Sequence, residues 1–151
     1  MNSIEVRVID CHICRETESG YKYLLLKRSS NQIYPNIWQC VTGKIKLNES
    51  AHKAAIRELK EETGLSPINF WTLDHVNYFY ESKKNRMNLI PVFGAEVDSS
   101  LIKLSLEHTE YKWCTIDEGI KLTLWNKQKE GLKIFHKMLT SEEQKSIFLK
   151  L

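Results

Sequence analysis

The sequence GKIKLNESAHKAAIRELKEETGL, residues 43–65, contains the clearest helix of the chain. Residues 51–63 are strong helix formers, and Ser50 just before them is a residue type that caps a first turn. Gly64 can adopt the left-handed conformation that ends a helix, and Pro67 prevents the helix from continuing. This stretch therefore predicts a loop followed by a helix over residues 51–63.

Three glutamates share one face of this helix. At about 100° per residue, Glu58, Glu61 and Glu62 fall within an arc of about 100°. The apolar side chains point to the other side, toward a sheet, and include Ala55, Ile56 and Leu59. Clustered carboxylates suit a hard divalent cation such as Mg²⁺, which prefers oxygen ligands. A solvated charged surface is the other interpretation of the same residues, and the helix alone does not decide between them.

The rest of the chain contains strand and helix patterns on both sides of this stretch. Alternating and β-rich segments predict strands over residues 4–13, 21–27, 37–41, 70–82, 87–97 and 110–115. Helical spacing of apolar residues predicts helices over 116–122 and 126–139. Such a mixture predicts an α/β fold with a mixed sheet between helices. Without a linker or repeat, residues 1–151 are expected to form a single domain.

The composition excludes several classes of protein. Hydrophobic residues make up 42% and charged residues 27% of the chain, which argues against a disordered or fibrous protein. The net charge of +3 is dispersed, so we expect no nucleic-acid partner. The apolar runs are shorter than the ~20 residues of a bilayer span, so no membrane is expected either. Charged residues near the N-terminus argue against a signal peptide, so we expect a cytoplasmic protein.

Cys11 and Cys14 form a Cys-x-x-Cys spacing that is typical of some zinc and redox sites. They lie on a predicted strand at an odd separation, so their side chains should point to opposite faces. There is no second pair of ligands at matching spacing. We therefore expect all four cysteines, including Cys40 and Cys114, to be free thiols.

Spacing beyond the helix identifies a longer motif. Gly43 is followed after five residues by Glu49, after seven more by the run from Arg57 to Glu62, and then by Gly64 and Leu65. This pattern resembles the Nudix box, G-x5-E-x7-R-E-U-x-E-E-x-G-U with U aliphatic, at every fixed position. The resemblance implies the Nudix fold, an α/β/α sandwich, and a hydrolase that cleaves a nucleoside diphosphate linked to another group.

By position, the resemblance also implies a set of site residues. Glu58, Glu61 and Glu62 would bind Mg²⁺ or Mn²⁺, and Glu58 is also a candidate general base. Gly43 would contribute its carbonyl oxygen to the metal. Arg57 would orient the glutamates.

The loop of the motif departs from the common form at two positions. Lys46 and Asn48 stand where many members carry Glu and Gly. Asn48 tolerates the left-handed conformation, so we expect the loop to fold. Lys46 removes a carboxylate near the metals, which affects metal binding by the loop but not by the helix cluster. Glu49 would stabilise the loop and pair with Arg57.

The resemblance to one group of Nudix enzymes extends over about residues 20–137. The segment WQCVTG, residues 38–43, is similar to the W-Q-S-V-T-G of dihydroneopterin triphosphate pyrophosphohydrolases, which also cleave dATP. EHTEYKW, residues 107–113, resembles the E-H-x-x-Y-K-W of the same group. By position, Glu107 would complete the metal site or serve as base, although an acidic residue at a strand start is the other reading. His108 would orient a ligand or play a structural role.

The activity implied is cleavage of a small nucleoside or pterin triphosphate to a monophosphate and pyrophosphate by a monomer or homodimer. Diadenosine tetraphosphate hydrolases share the E-H-x-x-Y-x-W segment and provide the alternative activity. Their usual P-P-K-G is absent, and Val41-Thr42-Gly43 stands in its place. A Nudix-fold regulator that binds a nucleotide without hydrolysis is a further alternative, and the intact motif favours catalysis over it.

Five further residues are candidate substrate contacts. Lys27 and Arg28, at the end of a predicted strand, could bind phosphate, although cations at strand ends are commonly solvated. Trp38, Tyr34 and Tyr80 could stack on a purine or pterin ring. Ordinary core or loop packing is the alternative role for each aromatic residue.

Overall fold

The computed structural model of the chain describes residues 2–147, with side chains described through Lys145. Eight strands and four α-helices occur in this part, together with a short 3₁₀ turn over Ser82–Lys84. The strands are β1 Ser3–Glu5, β2 Val8–Thr17, β3 Gly20–Arg28, β4 Trp38–Gln39, β5 Val41–Lys44, β6 Asn69–Glu81, β7 Arg86–Glu96 and β8 His108–Cys114. The helices are α1 Ala51–Thr63, α2 Ile116–Leu122, α3 Asn126–Thr140 and α4 Glu142–Ile147.

The strands form one mixed sheet with β7 and β2 near its centre. β7 runs parallel to β1 and β2 and antiparallel to β6. β2 pairs antiparallel with β3 along one half and with β5 along the other. β3 in turn pairs antiparallel with β4 and β8. This register brings the start of β8 beside the end of β3, where His108 lies opposite Arg28.

Two hydrophobic clusters fill the two faces of the sheet. The cluster on one face contains Ala55 and Leu59 of α1. The cluster on the other face contains Leu132 and Phe135 of α3. The predicted α/β architecture, a mixed sheet between helices, is therefore confirmed.

The four cysteines are free and buried, as predicted. Cys11 lies in the cluster under α1 and Cys14 in the cluster under α3, so they point to opposite faces of the sheet. Burial raises the pKa of the Cys40 thiol well above its usual value. Because strand alternation places the two thiols on opposite faces, the Cys-x-x-Cys spacing does not bring them together as a metal or redox pair.

The predicted strand over residues 4–13 is wrong in detail, because it divides into β1 and β2 at residues 6–7. β1 pairs with the first half of β7 and β2 with its second half, and the pairing steps by one residue between them, from Ile4 opposite Met87 to Asp10 opposite Val92. At the step, the Ile45 amide donates to the Arg7 carbonyl at 2.8 Å. The predicted strand 37–41 likewise divides at Cys40 into β4 and β5, which pair with different neighbours.

The helix of the motif has the predicted bounds. α1 ends at Gly64, whose φ of 79° is left-handed and whose amide donates to the Lys60 carbonyl. Ser50 is the N-cap residue, but its side chain makes no capping hydrogen bond. Asn48 has a φ of 63°, the left-handed conformation expected of it. Among the described residues, no helix has the length and apolar character needed to cross a membrane.

Candidate active site

The three glutamates of α1 differ in their exposure to solvent. Glu62 is 2% exposed, while the side chains of Glu58 and Glu61 are 12% and 52% exposed. The buried Ala55 and Leu59 anchor the opposite side of the helix in the core. The acidic face therefore runs from the protein interior at Glu62 to the surface at Glu61.

Arg57 connects the loop of the motif to this acidic face. Its Nε and Nη2 donate to both carboxylate oxygens of Glu49 at 2.8 and 2.9 Å. Its Nη1 donates to Glu58 Oε1 at 2.9 Å and to Glu61 Oε2 at 3.2 Å. The Arg57 guanidinium holds the pKa of Glu49 at about 2, so this pair remains charged at neutral pH. A planar guanidinium can make all of these bonds at once, which fixes the Glu58 carboxylate.

Gly43 leaves room for the Glu58 side chain. β5 passes so close to α1 that a Cβ at residue 43 would overlap the Glu58 carboxyl group. Gly43 pairs with Ile9 of β2, so the sheet prevents it from moving away. The absence of a side chain at Gly43 is thus a condition for the position of Glu58.

A second element brings ligands to the same site. Glu62, Glu107 and His108 each offer an atom within 4.8 Å of the others. The loop that carries Glu107 is held by Ser29 at the end of β3. The Ser29 amide donates to the Glu107 carbonyl at 2.8 Å, and the Ser29 hydroxyl donates to the Leu106 carbonyl at 2.7 Å. The structure therefore brings Glu107 next to the α1 cluster from the opposite side.

Several buried atoms of this site have no hydrogen-bond partner among the described residues. They are Oε2 of Glu62 and both ring nitrogens of His108. Burial and the neighbouring Glu58 and Glu107 raise the pKa of Glu62 well above its usual value. Burial and Arg28 lower the pKa of His108 to about 4, so its ring is neutral at neutral pH. The unpaired buried oxygen of Glu62 and the neutral imidazole of His108 are suitable ligands for a divalent cation, and with the exposed Glu107 carboxylate they form a donor set that fits one.

A cavity of about 590 Å³ extends from Arg28 to the polar residues Asp10 and Gln128. Its volume lies in the range of small-molecule sites. The charge of Arg28 acts on both Glu62 and His108, so the cavity and the carboxylate cluster are neighbours. Tyr34 and Trp125 meet edge to face at its rim, with ring centroids 5.1 Å apart.

The candidate substrate contacts are placed in different surroundings. Arg28 and Tyr34 line the cavity, whereas Lys27, Trp38 and Tyr80 are not among its described lining residues. Lys27 Nζ forms an ion pair with Glu110 at 3.0 Å. The Tyr80 hydroxyl donates to Asn85 at 2.6 Å.

Most cavity residues were not predicted as substrate contacts from the sequence, among them Asp10, Asn77, Trp125 and Gln128. Asp10 had a usable signal, because it is the one acidic residue inside the buried and largely apolar strand segment 8–13. The other three come from β6, from the end of the α2–α3 connection and from α3. Their role depends on how these elements pack, which no local pattern indicates.

The NUDIX domain family model matches residues 6–135. The chain belongs to the Nudix family. It is a Nudix hydrolase that acts on pyrophosphate bonds of nucleotides, since named enzymes of this activity are similar to it over most of its length. Nudix hydrolases generally use divalent metal ions, which agrees with the donor set at Glu62, Glu107 and His108.

Three relatives have different named substrates. Dihydroneopterin triphosphate diphosphatase of Haemophilus influenzae is 28% identical over 78% of this chain and 80% of its own. Asymmetrical bis(5'-nucleosyl)-tetraphosphatase of Caenorhabditis elegans is 27% identical over 84% of this chain and 91% of its own. 8-oxo-dGTP diphosphatase of Buchnera aphidicola is 29% identical over 85% of this chain and 88% of its own. Because these three sequence identities are nearly equal, they do not favour one of the three substrates over the others.

Solved structures of Nudix proteins share the fold. The dihydroneopterin triphosphate pyrophosphohydrolase of E. coli superposes with a TM-score of 0.70 at 23% identity, over 86% of this chain and 94% of its own. The MutT protein of Methanosarcina mazei superposes with a TM-score of 0.72 at 25% identity, over 93% of this chain and 96% of its own. These similarities confirm the architecture described above.

Proposed function

We propose that this Nudix hydrolase is a Mg²⁺- or Mn²⁺-dependent pyrophosphohydrolase that cleaves a nucleoside or pterin triphosphate to a monophosphate and pyrophosphate. The observation that carries the proposal is the meeting of Glu62 with Glu107 and His108 beside a cavity of ligand size. We further propose that residues 1–151 form one Nudix domain of a cytoplasmic protein, which is a monomer or homodimer. Its substrate is a small molecule rather than a nucleic acid or a membrane.

The metal would be held by carboxylates from two elements. Glu58, Glu61 and Glu62 on α1 and Glu107 before β8 are the ligands in this proposal, with the Gly43 carbonyl as a further one. When bound, a divalent cation neutralises phosphate charge and lowers the pKa of a coordinated water. Arg57 keeps Glu58 in place through its bond to Oε1.

Arg28 is suited to orient the phosphates. It lies between the carboxylate cluster and the cavity, and its Nε donates to the Ile33 carbonyl at 2.8 Å, which fixes the side chain. The remaining guanidinium donors can bind phosphate oxygens. The ring of the substrate would then lie in the cavity, within reach of Tyr34 and Trp125.

The reaction consumes one water molecule. Its oxygen forms a new bond to phosphorus while a bridging P–O bond breaks, and pyrophosphate leaves with the bridging electron pair. Glu58 or Glu107 would accept the proton of the attacking water. Both carboxylates lie close enough to influence Glu62 electrostatically, which supports placing the base at either position.

Hydrolysis of a dinucleoside tetraphosphate is the second candidate function. The relative from Caenorhabditis elegans supports it, because its identity to this chain is within a percentage point of that of the Haemophilus influenzae relative. Binding of a nucleotide without hydrolysis is less well supported, because every glutamate of the motif is present.

A hydrolysis panel tests the proposal. Purified protein is incubated with dATP, the other nucleoside triphosphates, dihydroneopterin triphosphate and diadenosine tetraphosphate, with Mg²⁺, with Mn²⁺ or with EDTA. We expect metal-dependent release of pyrophosphate and a monophosphate from at least one triphosphate. Cleavage of the dinucleotide alone would establish the second candidate, and binding without turnover would establish the third.

Glu61→Gln provides the matched test of the metal site. We expect kcat to fall by on the order of 10²-fold or more, because a ligand charge is lost, while the melting temperature stays unchanged. Glu18→Gln, at the exposed β2–β3 turn, serves as the control and should retain full activity. Unchanged turnover in Glu61→Gln would remove Glu61 from the site.

A further inference from the structure

A buried carboxyl group, that of Asp10, lines the cavity. Asp10 is 3% exposed and belongs to β2. Asn77 Nδ2, from β6, donates to its Oδ2 at 3.0 Å. Gln128 Nε2, from α3, donates to its Oδ1 at 3.4 Å. Three separate elements therefore meet at this polar group, which we call the cavity floor: Asp10, Asn77 and Gln128.

The cavity floor has more acceptors than donors. Each carboxylate oxygen can accept two hydrogen bonds, and each oxygen of Asp10 receives one from a described side chain. Gln128 is 5% exposed, and its Oε1 has no donor among the described residues. Its amide cannot be reversed without losing the bond to Asp10. Buried acceptors without donors are costly, so the floor is complementary to a ligand that brings donors.

The negative charge of Asp10 further favours a ligand that brings hydrogen-bond donors. Among the described residues no cationic side chain forms a salt bridge with it, and only the two amides lower its pKa. Burial raises the pKa of Asp10 to about 6, so the group is an ionised acceptor at pH 8. Apolar and aromatic side chains also line the cavity, among them Ile33, Tyr34, Phe79, Ile90 and Trp125. A flat ring fits between such walls.

We propose that Asp10 and Gln128 bind the N–H and amino donor edge of a 2-amino-4-oxopyrimidine ring, which guanine and pterins share. This inference rests on the proposed function, since the phosphates of the same ligand would extend past Arg28 to the carboxylate cluster. A carboxylate accepts the ring N–H and the adjacent amino group together. Adenine instead offers an amino donor next to a ring-nitrogen acceptor, which would face an oxygen of Asp10. The cavity floor therefore discriminates against adenine.

Equilibrium binding tests the inference without requiring turnover. The protein is titrated by calorimetry at pH 8 with two matched pairs, GMP against IMP and pterin against lumazine, and with AMP. IMP lacks the 2-amino group of GMP, and lumazine carries oxygen in place of the 2-amino group of pterin. We expect the amino member of at least one pair to bind about tenfold or more tightly than its partner, and more tightly than AMP.

The pair that shows this preference identifies the source of the ring, a guanine nucleotide or a pterin. A smaller preference in both pairs, or tighter binding of AMP, would overturn the inference. Because monophosphates and free pteridines bind without being hydrolysed, this result is separate from the hydrolysis panel. A protein that hydrolyses triphosphates without ring preference would keep the proposed function and lose this inference.

Two variants connect the preference to the cavity floor. Asp10→Asn replaces an acceptor by an amide, and we expect the preference for the 2-amino ring to fall to about twofold or less. Gln128→Met removes the unpaired acceptor, Gln128 Oε1, with little change in side-chain shape. It should lower the preference for the 2-amino ring by at least about threefold. It also keeps the test available if Asp10→Asn does not fold. Asp74→Asn, on the exposed part of β6, is the matched control and should bind like the wild type. An undiminished preference in folded Asp10→Asn or Gln128→Met would overturn the assignment.

Discussion

At the level of single residues, the half-buried Arg57 makes more connections than an ordinary surface arginine. Its guanidinium donates to three glutamates and to the Lys44 carbonyl. Surface ion pairs contribute little individually, but a planar donor shared by several carboxylates imposes geometry. Arg57 therefore sets the positions of Glu58 and Glu61 rather than merely balancing their charge.

Gly43→Ala should reduce activity without a matching loss of stability. The added methyl group would overlap the Glu58 carboxyl group, which must then move, while β5 stays paired with β2. Because a displacement of about 1 Å can cost ~10²-fold in rate, we expect kcat to fall by about that factor. Steady-state kinetics and thermal melting measure the two effects, with Ser19→Ala as a surface control. Wild-type kcat would show that the position of Glu58 is not critical.

Glu107→Gln tests the fourth carboxylate. Glu107 is exposed, so the substitution should leave stability nearly unchanged. If Glu107 is a ligand or the base, kcat should fall by on the order of 10²-fold or more. Kinetics in saturating Mg²⁺ and in Mn²⁺ check this, again beside Glu18→Gln. Full activity would instead make Glu107 an acidic residue that merely precedes β8.

At the level of elements, the packing of α3 on the sheet depends on a close approach. A Cβ at Gly94 of β7 would overlap the ring of Phe135 of α3. Phe135 is fully buried among Tyr23 and Trp71, so its ring has no free space to move into. Gly94 is thus required by the neighbouring helix, not by its own backbone conformation.

Gly94→Ala should lower the free energy of unfolding by about 1–3 kcal/mol, because it overpacks a well-filled core. Urea denaturation measures the change. In Gly94→Ala/Phe135→Leu the smaller side chain makes room for the methyl group, so the double variant should be more stable than the sum of the single changes predicts. Additive effects would contradict the overlap.

At the level of the whole molecule, the buried Asp10 makes stability depend on pH. Its folded pKa of about 6 lies above the ordinary value of 3.8, so the folded state binds this proton more tightly than the unfolded state. The stabilisation is complete below about pH 4 and is lost as pH rises through about 6. The shift corresponds to roughly 3 kcal/mol.

Asp10→Asn should remove this contribution. We expect the free energy of unfolding of the wild type, relative to that of the variant, to fall between pH 4 and pH 7. Taking the difference at each pH cancels the titration of groups that both proteins share, such as His12, whose pKa burial lowers to about 3. Denaturant unfolding over this pH range measures the difference. A difference that is constant with pH would mean that Asp10 titrates normally.

Local patterns in the sequence determined α1, its end at Gly64 and its acidic face, because helix propensity, capping and a period of 3.6 act over a few residues. They also determined that Cys11 and Cys14 point apart, since strand alternation is local. The spacing from Gly43 to Leu65 determined the family, and the matching model over residues 6–135 confirmed it.

Only the tertiary structure decided which distant residues meet. Glu62 lies beside Glu107 and His108 because β8 pairs with β3 in one register and Ser29 holds the preceding loop. Asp10 meets Asn77 and Gln128 because β2, β6 and α3 pack around one cavity. Sheet register and helix packing arise from burial over the whole chain, so no short segment specifies them. The family was therefore readable from 23 consecutive residues, whereas the floor of the cavity depends on three elements brought together by folding.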